Sequence, residues 1–105
     1  MNPRHAAALA LVGWYLMVPP LNGGGVADDT APLTSWHNEM SFDSSRDCEE
    51  GKTMVLENKI EGLRKLEKIQ IPYVPHAMDQ DIRWTQSEFA LSKCIGTDDP
   101  RLKGK

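Results

Sequence analysis

The chain has 105 residues, of which 40% are hydrophobic and 26% charged. That length and composition fit one small globular domain and exclude wholesale disorder. The net charge of −3, from 12 basic and 15 acidic residues, argues against a nucleic-acid partner, and no apolar run reaches the ~18 residues of a stable transmembrane span.

Met1 to His5 carries one fixed positive charge, Arg4, and no acid. Ala6 to Val18 follows, apolar except for Gly13 and the Tyr15 hydroxyl, and Pro19-Pro20 closes the run. A basic start, an apolar stretch and a small-residue site describe a secretory signal. Two boundaries compete. Cleavage after Gly25-Val26-Ala27 leaves a mature chain starting at Asp28. Alternatively, the aromatic-rich Trp14 to Val18 is the first strand of the domain. Residues 1–13 are then a short leader cut near Ala8-Leu9-Ala10, or the remnant of a longer signal with a mis-assigned start codon. The domain in this reading spans 14–105. The non-exported alternative is an ordinary N-terminal strand of a cytoplasmic domain.

Asp28 to Leu33 reads as a polar linker. Thr34 to Phe42 alternates, with Trp36, Asn38, Met40 and Phe42 on one side, and predicts a half-buried strand whose one polar defect is Asn38. Asp43-Ser44-Ser45 offers N-cap residues, and Asp47, Glu49 and Glu50 follow where a helix dipole favours acids. A helix is predicted from Ser45 to Gln70. Its stripe is Cys48, Val55, Leu56, Ile60, Leu63, Leu66 and Ile69, with a break expected near Gly51. Pro72 ends it. Ile71 to Arg83 reads as a loop, Phe89 to Gly96 as a strand, Asp98-Asp99-Pro100 as a turn and Arg101 to Lys105 as a polar tail.

Cys48 and Cys94 are the only cysteines. They form no CxxC motif, so zinc-knuckle, thioredoxin and haem-attachment readings fall away. In an exported chain an even count suggests a disulfide; two buried thiols of a cytoplasmic protein are the alternative. The expected fold is α+β: a small antiparallel sheet of about three strands packed by one long helix, with a single disulfide from the first helical turn to the last strand.

Gly13 to Pro20, Trp36, Ser41-Phe42-Asp43, Cys48 and Cys94 to Lys103 resemble a group of small, uncharacterised, predicted-exported bacterial proteins. These share a Gly-Trp-Tyr-Leu-Met-x-Pro-Pro start, two cysteines and an end like Cys-Ile-x-x-Asp-Asp-Pro-Arg-Leu-Lys. The resemblance implies that Trp14 to Met17 belongs to the mature domain. It carries over no catalytic residue.

The search for chemistry finds little. His37, Glu39, His76 and Asp79 are the weak metal candidates, but no spacing matches a zinc or calcium pattern. Gly23-Gly24-Gly25 lacks the Lys-Ser/Thr of a phosphate loop. Asp98-Asp99 reads as a turn rather than an acid/base pair. Arg64, Lys65 and Lys68 make a basic patch that reads as a solvated face. No cofactor and no catalytic constellation are legible. The leading expectation is therefore a small exported protein, periplasmic or secreted, acting as a non-enzymatic binding or structural domain. Trp36 or Trp84 would offer a protein-binding patch, toward another envelope protein for instance. The alternatives are a periplasmic metal-binding protein and a hydrolase whose groups converge only in the fold.

Overall fold

The computed structural model describes residues 13–103. Most of the leader region therefore lies outside the described residues. Strand β1 (Trp14–Val18) is the middle of a three-stranded sheet; β2 (His37–Phe42) and β3 (Lys93–Gly96) flank it, both antiparallel. An unbroken apolar run suits a strand covered on both faces. Leu16, Met17 and Val18 are accordingly all buried. Gly13 ties this strand to the far end of β3, donating to Thr97 Oγ1 and accepting from the Thr97 amide. A chain beginning at Asp28 would lack the strand that joins β2 to β3.

The pairing sets two faces. Trp14, Leu16 and Val18 share one with Phe42 and Cys94, and there Leu16, Val18, Cys48 and Phe89 form a core bordered by Val55 and Leu56. Tyr15, Met17 and Ile95 point the other way, into a second cluster closed by Leu33 and Trp36. Leu102, in a 3-10 turn at Pro100–Lys103, packs against this second cluster, so the expected polar tail is partly core.

Helix α1 (Ser45–Ile69) opens on Ser44, whose Oγ accepts from the Asp47 amide at 3.0 Å. It runs through Gly51 without the expected break. Gly51 lies against the Phe42 ring, where an added Cβ would stand 2.6 Å from a ring carbon. The glycine serves close approach, not a hinge. The Cys48–Cys94 disulfide, S–S 2.03 Å, joins the first turn of α1 to β3.

Three expectations are corrected. The strand starts at His37, because Leu33–Ser35 forms a 3-10 turn. Its alternation breaks at a bulge: Leu16 pairs with Met40 but Met17 with Asn38, leaving Glu39 without a partner. The slip moves Asn38 to the other face, where it is exposed, and the polar defect disappears. Finally, Asp79–Ala90 is a second helix, α2, where a loop and the start of a strand were expected. Phe89 is thus a helical core residue.

The molecule measures 62 × 26 × 20 Å. At 1.5 Å per residue α1 is roughly 37 Å long, and its last sheet-core neighbours are Val55 and Leu56. Beyond them α1 pairs with α2 as a hairpin that projects from the sheet.

Candidate functional site

The expected site residues fall in separate places. Glu39, the bulge residue of β2, holds the Lys59 ammonium at 2.6 Å. Burial pushes the carboxyl of Glu88 up; Lys59 and His37 draw it down and Glu39 adds to the rise. His76 and Asp79 sit at the start of α2, with His76 Nδ1 3.3 Å from Asp79 Oδ2 and Arg64 Nη1 2.7 Å from Asp79 Oδ1. The Arg64 hydrogen bond holds Asp79 below the usual carboxylate range. His37 and Glu39 therefore lie on β2, His76 and Asp79 on the hairpin, and a cation already engages each carboxylate. Among the described residues no three His, Cys, Asp or Glu side chains gather as a metal-holding group.

Trp36 is a core residue. It is buried, and its indole N–H donates to the Ala31 carbonyl at 2.9 Å, with the Lys93 ammonium 5.8 Å from the ring centroid. Trp84 is half-buried against Gly25. A Cβ on that glycine would stand 2.7 Å from Nε1, and its φ of 75° also favours glycine. Trp36 is thus removed as a docking surface, and Trp84 presents only part of its ring.

Exposed apolar surface gathers instead at the end of the hairpin. Ile71 is 98% exposed and Ile69 71%; Leu66, Tyr73 and Val74 are each about half exposed. Five large apolar side chains are thus exposed within residues 66–74, at one end of the hairpin. From Ile69 to Met78 the chain carries no Lys, Arg, Asp or Glu. Pro72 and Pro75 restrict the backbone there, so less conformational freedom is lost when the segment is held by a partner.

A polar clasp at the base holds this tip. Glu67, on α1, is only 5% exposed. Its Oε2 accepts from the Met78 amide at 3.0 Å and from Arg64 Nη1 at 3.2 Å. Met78 is the N-cap of α2 and supplies no side-chain cap of its own. A carboxylate from the neighbouring helix therefore satisfies one of the orphan amides. Arg64 links Glu67 to Asp79, so one guanidinium spans both helices. His76 takes a φ of 64° to make the turn, a conformation that costs an L-residue about 1 kcal/mol or more.

Two surface grooves lie elsewhere on the molecule. One, of about 440 Å³, lies between the end of β2 and the first turns of α1; Phe42, Gly51 and Met54 line it with Asp43, Asp47 and Glu50. The other, of about 380 Å³, lies beside β3, where Arg101 forks onto Asp99 with Nη2 2.7 Å from Oδ2. Neither brings a nucleophile to a base. The tip escaped the sequence reading, although its uncharged ten-residue window in a chain with 26% charged residues was the signal that could have found it. Comparison with protein-family models, with curated proteins and with solved structures finds no match to this chain.

Proposed function

We propose that this chain is an exported, non-enzymatic binding domain that engages a protein partner through the tip of its helical hairpin. The observation that carries the reading is the uncharged tip with Ile71 almost wholly exposed. Leaving that surface in water forgoes roughly 25 cal/mol for every Å² that a partner could cover. An exposed apolar tip set on the Glu67–Arg64–Asp79 clasp suits insertion into an apolar recess, and two prolines reduce the ordering cost. The disulfide supports export, since such bonds persist in oxidising compartments. The place of β1 at the centre of the sheet supports a leader that ends before Trp14.

A photo-crosslinking amino acid at position 71, in the protein expressed in its own cells, tests the reading. Discrete adducts are expected from position 71 and none from position 86, an exposed site on α2. No adduct from position 71 overturns the proposal. N-terminal sequencing of the exported fraction should place the first residue before Trp14.

A further inference from the structure

We infer that the partner is a second copy of this chain, the hairpin tip of one molecule seating in the groove between β2 and α1 of the next. The inference rests on the tip being the docking element, and it adds the identity of the recess. Apolar matching is the first argument. The tip exposes Leu66, Ile69, Ile71, Tyr73 and Val74, and the groove is lined by Phe42, Gly51 and Met54. Met54 is 51% exposed and Met40, on the same strand as Phe42, 45% exposed. The absence of a side chain at Gly51 leaves the Phe42 ring as the groove's floor.

Charge is the second argument. Lys65 and Lys68 flank the tip, and Lys68 makes no ion pair among the described residues. Asp43, Asp47 and Glu50 rim the groove; Glu50 pairs with Arg46 at 3.0 Å, which leaves Asp43 and Asp47 to face an incoming cation. Lys68, on the α1 side of the tip, and Asp43 and Asp47 at the groove thus set opposite charges beside apolar surface, which favours seating the α1 side of the tip against the groove. A symmetric tip-to-tip contact fits less well. It would set the two Lys68 residues near each other, and like charges brought together oppose association.

Placement is the third argument. Tip and groove lie toward opposite ends of α1, and Gly51 and Ile69 are roughly 27 Å apart by helix rise, so one molecule cannot fill its own groove. The contact is heterologous, and repetition builds an open chain or a ring.

The test uses the oxidised full chain in sedimentation equilibrium. The wild type should show a weight-average mass that passes the dimer as concentration rises and falls back with added salt. Ile71→Asp at the tip and Glu50→Lys/Met54→Lys at the groove should each weaken self-association by at least about tenfold. Each variant keeps one good surface, so a mixture of the two should stop at a one-to-one dimer. Thermal unfolding of each variant checks that it folds, and Tyr73→Asp serves as a second tip variant. A wild type that stays monomeric up to about 1 mM, a free energy weaker than roughly −4 kcal/mol, overturns the inference. So does a mixture without dimers, or association unchanged in both variants. Adducts from position 71 to a different protein, with a monomeric wild type, overturn this inference alone and leave the binding-domain reading standing.

Discussion

Glu67 shows how one buried side chain can hold two helices together. Its carboxylate accepts from a backbone amide of one helix end and from a guanidinium that also reaches Asp79. Removing such a group leaves its donors without partners, which costs more than the bond contributes net. Glu67→Ala should destabilise by about 2 kcal/mol, and Glu67→Gln by about half that, because the amide oxygen still accepts from Met78. Urea unfolding gives the numbers, and amide exchange at Met78 reports the lost cap. Glu88 behaves in the opposite sense. Burial raises its native carboxyl above the ordinary 4.5, against the pull of Lys59 and His37. The folded state then holds its proton to higher pH than the unfolded state, so stability falls as pH rises through that window. Glu88→Gln should match the wild type at pH 4 and exceed it at pH 7 in urea midpoint. Equal differences at both pH values would refute the assignment.

At the scale of elements, two glycines of one helix separate local propensity from packing. By propensity alone Gly51→Ala and Gly62→Ala should each stabilise α1 by about 0.5–1 kcal/mol. Space around Gly62 is open, and its substitution should deliver that gain. At Gly51 the new methyl meets the Phe42 ring at 2.6 Å, and overpacking of this kind typically costs 1–3 kcal/mol. Gly51→Ala should therefore be net destabilising by about 1 kcal/mol, and the pair of urea midpoints should move in opposite directions. Helix α2 shows why part of the fold was illegible. Its buried stripe is Ile82, Thr85 and Phe89, so a threonine interrupts the apolar period. Its cap arrives from Glu67, eleven residues earlier in the chain, where no local motif could announce it. The bulge at Glu39 hid the two faces of β2 in the same way, since register belongs to the strand pair rather than to either strand. Helix α1 was legible because its cap, first-turn acid and terminating proline lie within or beside its own segment, although Leu66 and Ile69 of the expected stripe stand in water and Glu67 is the buried residue at that end.

The whole molecule is long and thin, with its core divided between two small clusters on opposite sides of one sheet. Small cores of this kind seldom supply more than about 3–5 kcal/mol. The disulfide spans a sequence separation of 46, and the loop-entropy argument assigns it roughly 4 kcal/mol. Reduction, or Cys48→Ala/Cys94→Ala, should therefore lower the thermal midpoint by more than about 15 °C, or unfold the domain at ambient temperature. A midpoint unchanged by reductant would show that the two clusters suffice.

Composition, periodicity and cysteine count left Trp14 to Val18 open between a signal core and a strand, but were enough for the α+β class, the long helix and the bridge. Each depends on residues near one another in sequence or on a pairing with no competitor. Tertiary structure decided the rest: which face Asn38 takes, that α2 is a helix, that Trp36 is core, and that Ile69 to Val74 stands in water. Burial is a property of what other segments cover. An isoleucine in a sequence carries the same side chain whether a neighbour lies over it or not, and only the folded chain places that neighbour.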